Sequence, residues 1–130
     1  MNFEDHYINW RNSRINKIIS LFGENFFNGK TILELGAGYG GVGKKFKELG
    51  AIVTFAEGRP ENFNILKESI TDSNVLLLDQ ETQWDLNKQF DIVIHWGVLY
   101  HLKNWQRDLQ IAINHGKIVL LESEVCDSDN

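Results

Sequence analysis

Closely spaced glycines and an acidic residue form the chemically most distinctive segment of this chain. An apolar run that begins at Thr31 contains Glu34 near its end, and glycines stand at positions 36, 38 and 40. Glycine accepts positive φ and lets the backbone approach a ligand closely. The apolar residues that follow recur at helical spacing: Val42, Phe46 and Leu49. The order of strand, tight turn and helix therefore predicts a nucleotide-like cofactor at the N-terminus of the helix.

Two classes of cofactor fit these glycines. Gly36, Gly38 and Gly41 satisfy the dinucleotide pattern G-x-G-x-x-G, and Glu57 lies about twenty residues further on, as in a nicotinamide-dependent oxidoreductase. Glu34 separates the two classes, because its carboxylate would repel a pyrophosphate but favour the sulfonium and ammonium groups of S-adenosylmethionine. The oxidoreductase alternative also needs a substrate site in a second domain, for which we expect the 130 residues of this sequence to be too few.

The segment Glu34–Gly40, with the sequence ELGAGYG, resembles motif I of the class I S-adenosylmethionine-dependent methyltransferases. Further motifs follow in the family's order, each at the end of a predicted strand. The resemblance implies that Glu57, which precedes Gly58, accepts hydrogen bonds from both ribose hydroxyls. It also implies that Asp79 binds the adenine amino group and that the backbone amide of Gln80 binds a ring nitrogen.

The segment Phe90–Trp96 resembles motif IV of the same family. There the family contacts the methionine part of the cofactor, largely through the backbone. Residues 97–102 resemble the loop and helix start of many methyltransferases of small molecules and of some that act on RNA. The cofactor-binding residues implied by the resemblance are Glu34, Gly36, Ala37, Gly38, Tyr39, Gly40, Glu57, Gly58, Asp79, Gln80, His95 and Trp96.

Each of these assignments has a purely structural alternative. Glu57 and Asp79 could be polar strand ends, and Glu34 could be a solvated charge or the partner of a helix dipole. His95 could be a hydrogen-bonded core histidine and Trp96 a packed aromatic residue. The residue types alone do not separate these alternatives.

No motif in the sequence identifies a catalytic residue. His95, Tyr100 and His101 are the candidates for a general base near the end of the fourth strand, and a structural role is the alternative for each. The Asp/Asn-Pro-Pro-aromatic motif of methyltransferases that act on amino groups of DNA bases is absent. Cys126 is interpreted as inert, and no His/Cys spacing indicates a metal site.

Hydrophobic periodicity predicts a single α/β domain. Helices are expected at 7–22, 42–49, 61–69 and 104–114, and strands at 31–35, 52–57, 74–79, 90–96 and 117–122. This alternation predicts a doubly wound, mainly parallel sheet. The resemblance implies the strand order 3-2-1-4-5 without the family's strands 6 and 7. A helical cap at 1–28, a core at 29–123 and an acidic tail at 124–130 are the expected parts of the domain.

Charge and composition narrow the partners. Acidic residues outnumber basic ones by 18 to 13, for a net charge of −5, which argues against duplex DNA as a partner. A small-molecule acceptor is favoured over RNA for the same reason. The chain has one cysteine, so no intrachain disulfide can form and a cytoplasmic setting is expected. No apolar run approaches the length of a membrane span.

The sequence stops soon after the fifth predicted strand, and two expectations follow. An exposed sheet edge would need protection, and pairing with a second copy or a partner chain is one way to provide it. The main rival to an active methyltransferase is a non-catalytic S-adenosylmethionine-binding module or a truncated methyltransferase subunit. Cofactor binding without turnover on any acceptor would favour that rival.

Overall fold

The structure is a computed structural model. It describes the backbone of residues 3–96 and 102–122 and the side chains of residues 12–96 and 102–121. The described helices are α1 (Phe3–Phe22), α2 (Gly41–Glu48), α3 (Pro60–Ser69) and α4 (Trp105–His115). The described strands are β1 (Thr31–Leu35), β2 (Ile52–Glu57), β3 (Asn74–Leu77), β4 (Phe90–Trp96) and β5 (Gly116–Glu122).

The five strands form one sheet in the order β3-β2-β1-β4-β5. Every pairing is parallel, so the predicted doubly wound sheet and its strand order are confirmed. Successive strands add on one side of β1 up to β3, and the chain then returns to add β4 and β5 on the other side. In such sheets ligands bind outside the carboxyl ends of the strands, at the point where the order reverses.

Both faces of the sheet are covered. One face packs against α1, α2 and α3, with Ile15, Phe46 and Leu66 fully buried. The other face packs against Ala112 of α4 and against Trp84 in the connection between β3 and β4. Because side chains alternate between the faces of a strand, burial on both sides explains why the strands are almost continuous apolar runs.

The third strand is two residues shorter than its sequence pattern predicts, and ends at Leu77 rather than at 79. The amide of Leu78 still donates to the carbonyl of Glu57 at 3.0 Å. Asp79 then leaves the sheet, because its Oδ1 accepts the amide of Glu81 at 2.9 Å and stabilises a turn. Asp79 therefore lies in a loop beside the sheet and not in the strand itself.

A short 3-10 helix, Glu24–Phe27, joins α1 to β1. The hydrophobic periodicity of the sequence did not predict it. The ring of Phe27 is fully buried, 4.9 Å from the ring of Phe46 between centroids. The ring of Phe22 stacks on that of Phe26, also at 4.9 Å. These aromatic contacts join the end of α1 to α2 and to the core.

Thr31 and Asp91 fasten β1 to β4 at the amino ends of the two strands. The carboxylate Oδ2 of Asp91 accepts the Thr31 amide at 2.9 Å and the Thr31 hydroxyl at 3.2 Å. The Thr31 hydroxyl oxygen in turn accepts the amide of Asp91 at 3.0 Å. The backbone hydrogen bond from Thr31 holds the pKa of the Asp91 carboxyl below its ordinary value of 3.8, and Lys117 acts in the same direction.

This lowered pKa predicts how the Asp91→Asn variant responds to acid. The unfolded chain takes up the proton at a higher pH than the folded chain, so the charged Asp91 stabilises the fold above its ordinary pKa. That stabilisation is lost as the pH falls through the lower folded value. Thermal unfolding from about pH 6 to about pH 3 should show wild type above Asp91→Asn in Tm, with the gap closing at the acid end. A gap of constant size would contradict the assignment.

Candidate functional site

The glycine segment forms a tight loop between β1 and α2. Gly36, Gly38 and Gly40 have φ of 64°, 59° and 84°, as their spacing predicts for a turn that approaches a ligand. A Cβ on Gly40 would lie 2.8 Å from Cδ1 of Leu66, so the backbone conformation favours glycine there and a methyl group would displace the buried Leu66 side chain. The amide of Ala37 donates to the carbonyl of Ala56 at 2.9 Å and ties the loop to β2.

Glu34 lies buried against the first turn of α2. Its Oε1 accepts the amide of Gly43, the third residue of that helix, at 3.1 Å. A carboxylate at this place complements the positive end of the helix dipole. A phosphate at the same N-terminus would meet a negative charge already in position, so the arrangement disfavours the dinucleotide alternative.

Glu57 joins the end of β2 to the glycine loop. Its side chain is buried, Oε1 accepts the amide of Gly38 at 2.8 Å, and Oε2 accepts the amide of Arg59 at 2.9 Å. Hydrogen bonds to a charged acceptor are stronger than neutral ones. Two of them fix the plane of this carboxylate beside the loop without any ligand.

The third strand end reaches the same edge. A Cβ on Gly58 would lie 3.0 Å from the carbonyl oxygen of Leu78, so a glycine lets the end of β2 pass close to the connection after β3. Asp79 is exposed in that connection, whereas Gln80 is buried. Tyr39 is 64% exposed at the tip of the glycine loop. We call the strand ends and adjoining loops at residues 34–40, 57–58, 79–80 and 95–96 the carboxyl edge.

His95 and Trp96 end β4 with their side chains in different surroundings. The imidazole of His95 is fully buried, and its Nε2 lies 2.6 Å from Oδ2 of Asp108 in α4. The ring of Trp96 is half-buried, 6.5 Å from the ring of Phe46 in α2. The His95 side chain is therefore enclosed, whereas the indole of Trp96 and the backbone at the end of β4 stay partly open to a ligand. Tyr100, His101 and Cys126 lie outside the described residues and stay predictions.

A buried polar cluster next to this edge was missed by the sequence reasoning. Asp108 is fully buried. Besides the contact with His95, its carboxylate accepts hydrogen bonds from Nε2 of Gln80 at 3.1 Å and from Nε1 of Trp84 at 2.9 Å. Asp108 shares the buried face of α4 with Ala112 and His115, at helical spacing. An acidic residue on an otherwise buried stripe was the available signal. We call Asp108, His95, Gln80 and Trp84 the Asp108 cluster.

A second link joins the connection after β3 to the start of α4. Oε1 of Glu81 accepts the amides of Lys103 and Asn104 at 2.9 and 3.4 Å, and the guanidinium of Arg107 donates to the carbonyl of Glu81. Asn104, the N-cap residue, makes no side-chain capping bond. Glu81 therefore satisfies amides at the start of α4 from another part of the chain.

Neither a metal centre nor a membrane span is found in the described parts of the chain. Within residues 3–96 and 102–122, no group of three or more His, Cys, Asp or Glu side chains is placed to hold a metal ion. None of the helices described there is both long and apolar enough to cross a membrane.

A family model described as a methyltransferase domain matches residues 7–128, so the chain belongs to this methyltransferase family. The predicted class, S-adenosylmethionine-dependent methyltransferase with a Rossmann-like fold, is thereby confirmed. No curated protein matches the chain.

Solved structures show the same fold. The magnesium protoporphyrin IX methyltransferase of Synechocystis, with S-adenosylmethionine bound, has a TM-score of 0.72 at 14% identity, over 92% of this chain and 62% of that one. The amino pentose methyltransferase of Micromonospora echinaspora has a TM-score of 0.68 at 15% identity, over 89% of this chain and 53% of that one. The N-terminal domain of EvdMO1, with S-adenosylhomocysteine bound, has a TM-score of 0.69 at 25% identity, over 84% of this chain and 48% of that one. This chain spans about half to three fifths of their lengths.

The glycine loop can be tested with a matched pair of alanine variants. Gly29 has φ of 76° and open space within 4 Å of the position that a Cβ would take, whereas Gly40 has φ of 84° and Leu66 at 2.8 Å. Gly29→Ala should lower the free energy of unfolding by about 1–2 kcal/mol, the cost of left-handed backbone. Gly40→Ala should cost at least about 1 kcal/mol more, because the methyl group overlaps the core. Urea unfolding of both variants measures this difference, and equal losses would contradict the close packing of the loop.

Proposed function

We propose that this chain binds S-adenosylmethionine at the carboxyl edge and transfers its methyl group to a small-molecule acceptor. The observation that carries the proposal is the carboxylate of Glu57, held by the amides of Gly38 and Arg59 at 2.8 and 2.9 Å. A fixed anionic acceptor beside a positive-φ glycine loop suits a ribose with two hydroxyl groups. Family membership over residues 7–128 supports the same cofactor.

The charges at this edge fit a cationic cofactor better than a phosphorylated one. Three acidic residues end neighbouring segments there: Glu34, Glu57 and Asp79. Glu34 is buried at the N-terminus of α2, the position that binds pyrophosphate in dinucleotide sites. S-adenosylmethionine carries a sulfonium and an ammonium group and no phosphate, so each carboxylate attracts it.

The chain contributes binding, orientation and shielding from water. When bound, S-adenosylmethionine supplies the methyl group and a good leaving group. Glu57 and the glycine loop orient the cofactor, and alignment of the acceptor with the methyl group then lowers the barrier. A base is needed only for an acceptor that is protonated at the working pH. His95 is fully buried against Asp108, which disfavours it as that base, and Tyr100 and His101 stay candidates from the sequence.

A small molecule is the acceptor class that we favour over RNA. The net charge of −5 offers no general attraction for a polyanion. The solved relatives include methyltransferases of an amino pentose and of magnesium protoporphyrin IX, which are small molecules.

We also propose a cytoplasmic setting, based on the single cysteine, and pairing of an outer strand, β3 or β5, with another chain. Sedimentation as a monomer at high concentration would contradict the pairing.

Calorimetry tests the cofactor directly. The chain should bind S-adenosylmethionine and S-adenosylhomocysteine with micromolar affinity and should not bind NADH. Transfer of a labelled methyl group to a pool of small molecules, compared with a pool of RNA, then tests catalysis and acceptor class together. Binding of NADH alone would restore the oxidoreductase alternative. Binding of S-adenosylmethionine with no transfer to either pool would favour a non-catalytic module.

Glu57→Ala should weaken S-adenosylhomocysteine binding by about 1–3 kcal/mol, because two ribose hydroxyls lose a charged acceptor. The matched control is Glu48→Ala, which removes an exposed carboxylate that pairs with Lys45 on the outside of α2. The control should change the binding free energy by less than about 0.5 kcal/mol. Titration calorimetry of both variants, each checked for folding by circular dichroism, provides the comparison. Unchanged affinity in Glu57→Ala would remove Glu57 from the site.

A further inference from the structure

The Asp108 cluster holds together three separate parts of the chain. Asp108 belongs to α4, His95 to the end of β4, and Gln80 and Trp84 to the connection between β3 and β4. The carboxylate of Asp108 is the common partner, with Nε2 of His95 at 2.6 Å, Nε1 of Trp84 at 2.9 Å and Nε2 of Gln80 at 3.1 Å. All four side chains are at least nine-tenths buried.

The protons in the cluster can be assigned from these partners. Gln80 and Trp84 present N–H groups, and the ionised carboxylate of Asp108 only accepts. With Asp108 as the acceptor, Nε2 of His95 is assigned as a donor that shares Oδ2 with Gln80. The two nitrogens lie 3.5 Å apart, and because both donate to the same oxygen, this contact is not a hydrogen bond between them.

Burying the polar groups of the Asp108 cluster is unfavourable for folding, so a contribution to stability does not explain the cluster. A buried carboxylate loses its hydration, and an apolar group of similar size in its place is often neutral or stabilising. Nδ1 of His95 is also buried and has no hydrogen-bond partner among the described residues, and leaving a buried polar atom unpaired is unfavourable. What the cluster provides in return is a defined geometry, since three donors converge on one carboxylate.

The Asp108 cluster shares Gln80 and His95 with two segments of the carboxyl edge. Gln80 follows Asp79, the residue expected to bind the adenine amino group. The backbone amide of Gln80 is itself expected to bind a nitrogen of the adenine ring. His95 precedes Trp96 at the end of β4, where the methionine part is expected. Glu81, the next residue after Gln80, is tied to the start of α4 through Lys103 and Asn104, so a second contact joins this connection to the helix.

We propose that Asp108 is a positioning residue of the cofactor site, acting through Gln80 and His95. It holds the side chain of Gln80 inward, so that the backbone of residues 79–80 faces the adenine end of the cofactor. It holds His95 at the end of β4, so that the strand end keeps its place beside the glycine loop. This inference rests on the proposed function, because it assumes that S-adenosylmethionine binds at the carboxyl edge.

The test compares two isosteric variants, Asp108→Asn and Asp91→Asn. Asparagine at 108 offers one acceptor oxygen in place of two, and cannot serve all three donors. Asp91 lies at the amino end of β4 and also accepts two hydrogen bonds, both from Thr31. It is a control for lost stability without any contact with the cofactor site. Calorimetry with S-adenosylhomocysteine is run well below the Tm of each variant.

Asp108→Asn should bind S-adenosylhomocysteine about tenfold more weakly, the order of effect that displaced supporting groups have on a site. Asp91→Asn should stay within about twofold of wild type, even though its Tm falls. Gln80→Leu should also weaken binding, and the double variant Gln80→Leu/Asp108→Asn should be no weaker than the worse single variant. Such non-additivity is expected only if both residues act through one arrangement. Two independent structural losses would instead add.

Each outcome decides the inference. Wild type that binds S-adenosylhomocysteine, with Asp108→Asn within about twofold of it, overturns the positioning role and leaves the proposed function intact. Wild type that does not bind overturns both. If Asp108→Asn does not fold, Trp84→Phe replaces it, because it removes one donor to Asp108 and lies outside the carboxyl edge. A loss of affinity in folded Trp84→Phe supports the inference, and unchanged affinity overturns it.

Discussion

The close approach of the first turn of α2 to β1 and β2 is the constraint on which the rest of the site depends. A Cβ on Gly43 would lie 2.3 Å from Cε2 of Phe55 and 2.7 Å from Oε1 of Glu34, so only glycine permits this packing. The same approach lets Glu34 reach the amide of Gly43. It also brings the glycine loop over the end of β2, where Gly38 meets Glu57. Fold and site are therefore products of one contact.

Charge then decides what this edge can bind. Carboxylates that already accept backbone amides are fixed in place and need no reorganisation when a ligand arrives. Glu34 neutralises the helix end that phosphates use in related folds, and Glu57 presents a charged acceptor beside the loop. A ligand with positive charge and ribose hydroxyls matches these features. The fold alone would admit many functions, and the carboxylates narrow them.

Sequence reasoning reached the parts of the molecule that local patterns encode. The strands are mostly apolar runs, so their positions followed from periodicity, and the strand order followed from the family resemblance. The end of β3 was placed two residues late because Asp79 forms a turn through Glu81, which competes with the strand. The Asp108 cluster was missed because Asp108, His95 and Gln80 are far apart in sequence and meet only after the sheet and α4 have packed. The roles of Tyr100 and His101 stay predictions.

The most direct test of the cofactor site is to map S-adenosylhomocysteine binding on the backbone amides by nuclear magnetic resonance. We expect saturable changes at the glycine loop, above all at Gly38, and at residues 57–58 and 79–80. The opposite end of the sheet has a groove of about 280 Å³, lined by residues that include Thr31, Lys47 and Asp72, and it should not respond. Changes confined to that groove, with none at Gly38, would contradict the central claim that the carboxyl edge is the cofactor site.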